Sequence, residues 1–414
     1  MTDTAPAATT GDSDATVRLR SGIDGTVRAG LRDIGETTVV SFTIVGDLRS
    51  LSQADAFTIS AACDVACNNR HPVVGFVQST GADVREGLTA AHGWGRAARA
   101  MVTCSGQVPT ILVVTGPVVS GPALLLGVAD VAIMVEDAFA FVSGPTMVER
   151  FTGLPIEHDD LGGSKIHATK SGVASLVVPD IDAALDAVEE VLSYLPRSNE
   201  SLPPLRPTAD PSNRTSPLLR DLIPASPSGS YDVRDVIAEI VDDGVISELR
   251  SRWAANVVTG LANIGGHAVG VLANQPQVLA GTLDIAASQK GARFIAMCDA
   301  FNLPIITFVD TPGFQPGKDL EWRGMIRHGA ELAFAYARAT VPRVSVTLRK
   351  SYGGAYIVMD SKPMGNDLAL AWPSAQIAVM GAKGAVEILH RKACLLYTSP
   401  SPRDATLSRM PSSA

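Results

Sequence analysis

Cysteine is scarce and unpaired in this chain. Five occur in 414 residues, at Cys63, Cys67, Cys104, Cys298 and Cys394, and none forms a CxxC pair. An odd number without that spacing argues against a disulfide framework and a structural zinc, and suits a reducing compartment. Cys63 and Cys67 fall on one helix face, where core packing is expected over metal binding. Positive charge is also short: the formal net charge is −8 and only 18% of residues are charged. That excludes the basic field that binds nucleic acid or an anionic membrane surface, although local basic spots remain for an anionic ligand. No uninterrupted apolar run reaches the ~20 residues needed to span a bilayer, and the N-terminus has no cationic-then-apolar signal pattern. Together these absences predict a soluble, cytoplasmic protein with no nucleic-acid or membrane partner and no metal site.

What the sequence does contain, it contains twice. His71-Pro72 opens a β-branched run toward Gly81, Val108-Pro109 opens a second toward Ser120-Gly121-Pro122, and Phe141 leads to Gly144. Leu303-Pro304, Val341-Pro342 and Ala378 open matching runs to Gly313, to Gly353-Gly354-Ala355 and to Gly381. The offsets are 304 − 72 = 232, 342 − 109 = 233, 313 − 81 = 232, 354 − 121 = 233 and 381 − 144 = 237. Landmarks that stay in step over such a distance indicate a duplicated domain with small insertions. Each copy reads as buried strands leading through glycine-rich turns into apolar helices, a βαβ-type layered architecture. Ser120-Gly121 and Gly353-Gly354 fall where a strand becomes a helix. There the first amide N–H groups lack intrahelical partners, so the turn is suited to hold an oxyanion.

Along the chain, residues 1–34 read as a disordered lead-in from their Thr, Ala, Asp and Gly content. Residues 35–197 form the first domain and 233–393 the second. The seven prolines of residues 198–232 mark a linker. Residues 394–414 lose all periodicity and read as translated adapter sequence, to be left out of the fold. Lys290 and Arg293, at i and i+3 on one helix, are candidates to meet phosphate groups or partner carboxylates, with a solvated helix face as the alternative.

The second domain closely resembles the carboxyltransferase (beta) subunits of biotin-dependent acyl-CoA carboxylases. The matching text includes Asn274-Gln275-Pro276, Lys290-Gly291-Ala292-Arg293-Phe294, Asp310 with Pro312-Gly313-Phe314, Arg327-His328-Gly329-Ala330, Tyr352-Gly353-Gly354-Ala355-Tyr356 and Met380 to Ala385. The first domain resembles them more thinly, from Glu86-Gly87 to Ala174. The resemblance implies an α/β fold of two tandem crotonase-like (ClpP/crotonase) ββα superhelical domains. It also implies that CO2 passes from carboxybiotin, carried on another protein, to the α-carbon of a short or medium acyl-CoA. On that basis Gly354 and Ala355 would serve the biotin side and Ser120 and Gly121 the thioester enolate. Gly353, Tyr352, Ile357, Gly81, Ala82, Lys290 and Arg293 would line the cofactor and substrate. The implied partners are a biotin carboxylase with its biotin carboxyl carrier, and further copies of the chain in a dimer-based oligomer such as a hexamer. A decarboxylase subunit and a non-catalytic assembly subunit are the alternatives.

The first domain departs from its relatives at three places. Gln78-Ser79-Thr80-Gly81-Ala82-Asp83 stands for Asp-Ser-Gly-Gly-Ala-Arg, which exchanges a cation for an anion. Ser120-Gly121-Pro122 stands for Gly-Gly-Ala, and Pro122 has no N–H. A glycine-rich stretch expected near residues 47–54 is replaced by Asp47 to Ala54. These departures predict an altered CoA-side half. His167, His328 and Asp310 are expected to hold structure rather than react.

Overall fold

The computed structural model describes residues 17–21, 25–44, 50–211, 213–226 and 228–389. The expected foreign tail, residues 394–414, lies outside them, as do residues 1–16 of the lead-in. Each half is built on one twisted mixed sheet. The first is ordered with Val27–Ile34 and Thr37–Ile44 as an antiparallel pair, followed by parallel Val73–Ser79, Thr110–Val119, Val131–Val135 and Leu176–Val178. The second runs Val257–Ile264, His267–Asn274, Ile305–Thr311, Arg343–Tyr352 and Leu368–Ala371 in the same sense. Apolar β-branched residues on both faces are what a doubly covered parallel strand requires.

The duplication holds down to the pairing register. Val74 sits beside Ile111, and Ile306 beside Val344. Both strand pairs are also irregular at the same place, resuming at Ser79 with Val118 and at Thr311 with Ser351. The helices Gln53–Asn69 and Ile285–Ala300 begin 285 − 53 = 232 residues apart. Each has a side-chain N-cap, Ser52 with Asp55 as a capping box in the first and Asp284 in the second.

Alternation along the first sheet sends Val40, Val73, Leu112, Val114 and Met134 to a core under Gln53–Asn69 and Leu88–Cys104. The opposite face, with Val39, Val74, Ile111, Val113 and Ile133, packs on Ile181–Leu192. That second cluster continues into Leu272, Phe294, Leu303 and Tyr336 of the other half, so the two domains share a core. No helix among the described residues is long and apolar enough to cross a membrane.

Two boundaries differ from those expected. Val17–Ser21 and Val27–Ile34, assigned to the lead-in by composition, are paired strands. The alternation of Val27, Ala29 and Leu31 buries one face of the second of these, and Thr26 and Val27 donate their amides to Asp55. The proline-rich stretch 198–232 is a strap rather than a free tether. Leu205 bridges to His267, Ile223 and Tyr231 are buried, and Arg349 donates to the carbonyls of Ser226 and Gly229 at 3.2 and 2.6 Å. Proline removes the amides that would make a strand, yet it leaves every carbonyl available to such a side chain.

Candidate active site

Each half brings a loop to a turn. In the first half Leu51 donates to Gly81 O at 2.8 Å and Asp83 N donates to Leu51 O at 2.9 Å, while Ser79 Oγ binds Gly81 N at 3.0 Å. In the second, Leu283 donates to Gly313 O at 3.1 Å, Gln315 N donates to Leu283 O at 2.8 Å, and Thr311 Oγ1 takes Gly313 N at 3.3 Å. Gly81 (φ 115°) and Gly313 (φ 139°) have backbone angles that side chains resist. These loops lie against the turns. A Cβ on Gly81 would stand 3.7 Å from Ser120 Cβ, and one on Gly354 would stand 3.2 Å from the Phe314 ring. Gly81, Ala82, Ser120 and Gly121 are thus brought together, as are Gly353 and Gly354 with Phe314.

The turns match residue for residue. Ser120 has φ 64° and Gly353 φ 58°, and each ends a ten-residue strand and starts a short helix. Gly354 is exposed and Gly121 is half-buried, whereas Pro122 and Ala355 are both buried. In each turn the second position is therefore more open than the third. Pro122 lacks the N–H that Ala355 has at the matching position, and both residues are buried.

Ser120 adopts φ 64° with ψ −132°, a region essentially reserved for glycine and costly for any other residue. Its amide is fixed to Phe141 O at 2.9 Å and its carbonyl accepts from Ala123 N at 3.0 Å. Ser120→Gly is expected to raise the stability of the protein by about 1 kcal/mol, the released strain exceeding the added freedom of the unfolded chain. Guanidinium unfolding of the two proteins side by side measures this, and an unchanged or lower midpoint contradicts the strain argument.

The charge exchange at Asp83 is partly compensated. Arg85 closes on it with Nη2 to Oδ2 at 2.6 Å and Nε to Oδ1 at 2.9 Å, and Asp83 Oδ1 accepts the Arg85 amide. This contact with Arg85 holds the Asp83 carboxyl at about 2, well below the usual carboxylate range. The pair is neutral, so the anion is cancelled but no free cation is restored.

Tyr352 caps the second helix and hydrogen-bonds Gln376 through its hydroxyl. Ile357 is 50% exposed on that helix, so its side chain is available to line a substrate. The expectation is corrected for Lys290. Lys290 is 3% exposed, and its ammonium donates to the carbonyls of Arg250, Trp253 and Val257 at 2.9, 3.0 and 2.6 Å, with Ala254 at 3.5 Å. Burial pulls its pKa down to about 7, while four carbonyl dipoles favour the charged form. Arg293 reaches across the halves to Gly127 O and Ala129 O, both at 2.7 Å. Lys290 is spent on backbone carbonyls rather than on a ligand, because it points into the loop and is buried there, whereas Arg293 stays exposed with its Nη2 on the two carbonyls.

The remaining polar candidates are structural. Asp310 is buried, paired with Arg349 at 3.0 Å, and accepts from the Tyr231 hydroxyl and the Lys350 amide. Burial pushes its pKa up in spite of the guanidinium. His167 lies between Ser171 Oγ and Ala140 O, both at 2.7 Å. His328 contacts Glu331 and Gln289. The bridges from Leu51 and Leu283 were missed by sequence reasoning, since a leucine gives no sign that its backbone is the anchor.

A duplicated βαβ core that ends equivalent strands in amide-presenting turns defines a tandem crotonase-like enzyme fold. Within that class, the chain belongs to the carboxyl transferase family, whose carboxyl transferase domain matches residues 35–407. It is 43% identical over 363 residues to the propionyl-CoA carboxylase carboxyltransferase subunit of Haloferax mediterranei, covering 87% of this chain and 70% of that one. It is 41% identical to the methylmalonyl-CoA carboxyltransferase 12S subunit of Propionibacterium freudenreichii subsp. shermanii, covering 85% and 66%. Among solved structures, the transcarboxylase 12S hexamer with methylmalonyl-coenzyme A and methylmalonic acid bound is similar with a TM-score of 0.87. That likeness is at 38% identity and covers 92% of this chain and 74% of the other.

Proposed function

We propose that the chain is a carboxyltransferase subunit that moves CO2 from carboxybiotin to the α-carbon of a short or medium acyl-CoA. The observation that carries this reading is the pair of equivalent turns, each opening a short helix beside a glycine loop. Two oxyanions develop in such a transfer. Loss of the α-proton places charge on the thioester oxygen, and release of CO2 places it on the ureido oxygen of biotin. Amide N–H groups fixed before the reaction stabilise such charge without reorganising. The turn at Ser120 and Gly121 would hold the enolate and the turn at Gly354 and Ala355 the ureido oxygen. Gly81 and Ala82 would lie along the CoA-side substrate, and Tyr352 and Ile357 beside the biotin-side turn. The biotin anion can take the α-proton, so no side-chain base is required.

The partners in this reading are a biotin carboxylase, a biotin carboxyl carrier and further copies of this chain, in the cytoplasm. Apolar side chains left open near both turns favour subunit pairing: Leu124 and Val142 are 59% and 58% exposed, and Ile357 and Val379 are 50% and 81% exposed. The test supplies the full chain with a biotin carboxylase, its carrier and labelled bicarbonate, then follows label into acetyl-, propionyl- and butyryl-CoA. Labelled product with at least one is expected. Its absence with all three, beside a carrier shown to be carboxylated, would replace this reading with a non-catalytic assembly subunit.

A further inference from the structure

Away from both turns, three cysteines meet between the first half's two long helices. Cys63 and Cys67 lie on Gln53–Asn69, and Cys104 is the last residue of Leu88–Cys104. Cys67 Sγ is 3.1 Å from Cys104 Sγ, and Cys104 Sγ is 3.5 Å from Cys63 O. Cys63 and Cys104 are buried and Cys67 is partly open. No group of three side chains suited to hold a metal occurs among the described residues.

We propose that Cys67 and Cys104 form a redox modification site, closing to a disulfide in response to small-molecule disulfides. Cys67, the accessible member, attacks the reagent as its thiolate, forms a mixed disulfide and expels one small thiol. Cys104 then attacks Cys67 Sγ and expels the second. Two protein S–H bonds and the reagent's S–S bond are exchanged for one protein S–S bond and two reagent S–H bonds, so the protein loses two electrons and the reagent gains them. The sulfur atoms need to approach by only about 1 Å to reach bonding distance. Burial raises the Cys67 thiol to about 12, so the thiolate is scarce and closure is slow.

Both helices run 17 residues. Trp94 of the second helix lies against Gly121, so the link would form roughly 15 Å along that helix from the turn. It would brace the helix pair and leave the turn untouched. Because it closes a loop between distant positions, it is expected to raise the Tm of the first half by roughly 5 °C or more.

The experiment incubates the full chain with glutathione disulfide, removes the reagent, and records Tm and the masses of protease fragments without reduction. A fragment joining Cys67 to Cys104, a higher Tm, and reversal of both by dithiothreitol are the expected results. Cys67→Ser should abolish the Tm rise, and Cys298→Ser should keep it. A stable glutathione adduct on Cys67 without the joined fragment, a link from Cys67 to another cysteine, or a joined fragment with unchanged Tm would each overturn the proposal.

Discussion

Replacing Gly354 with proline is expected to lower CO2 transfer by roughly 10²–10³-fold, because it deletes the amide N–H at the most exposed position of the second turn. Gly354→Ala is the control. It adds a Cβ at the same tight place, 3.2 Å from the Phe314 ring, but keeps the N–H. Steric disturbance would reduce both variants alike, whereas loss of an oxyanion donor would separate them. The measurement is kcat for carboxyl transfer at saturating acyl-CoA, with Tm recorded to show that both proteins remain folded. Equal activity in the two variants would remove Gly354 from the chemistry.

The second large effect concerns stability. Lys290→Met keeps the length and apolar stem of the side chain but leaves the carbonyls of Trp253 and Val257 without this donor, while Arg250 O keeps the Trp253 amide at 3.1 Å. Two unsatisfied buried acceptors together should cost about 2 kcal/mol or more. The loss should also loosen the join between the halves. Arg250, in the clamped segment, donates its amide to Ser175 O and its side chain to Gly172 O, and Trp253 packs on Gly172. Denaturant unfolding followed by hydrogen exchange of residues 250–257 would report both effects. A variant as stable as the parent would show that the carbonyls find water or other donors.

Lys290 also shows where reading the chain stops. Its neighbours Ser288 and Phe294 made the helix legible, and the i, i+3 spacing put Lys290 and Arg293 on one side. Nothing in that spacing told solvent from protein, because what faces a helix is set by residues far along the chain. The same holds for Asp83. Beside its relatives it reads as a charge reversal, but the turn folds Arg85 back over it. Ser120 was legible as a departure from glycine, and its strain was not, since backbone angles at a strand end depend on the neighbouring Phe141 strand. Residues 17–34 were misplaced because composition outweighed a short alternation that only the rest of the sheet makes decisive.

The sequence by itself determined the duplication, the order of strands and helices within each copy, the two strand-to-helix turns and the family. These follow from local backbone sterics and from apolar periodicity, which are written in consecutive residues. Only the tertiary structure decided how open each position of the turns is, that Lys290 and Arg293 hold the protein together, that the proline-rich stretch is a strap, and that Cys67 touches Cys104. Each depends on distance between residues far apart in the chain, and burial is a property of the packed molecule that a string of residues does not carry.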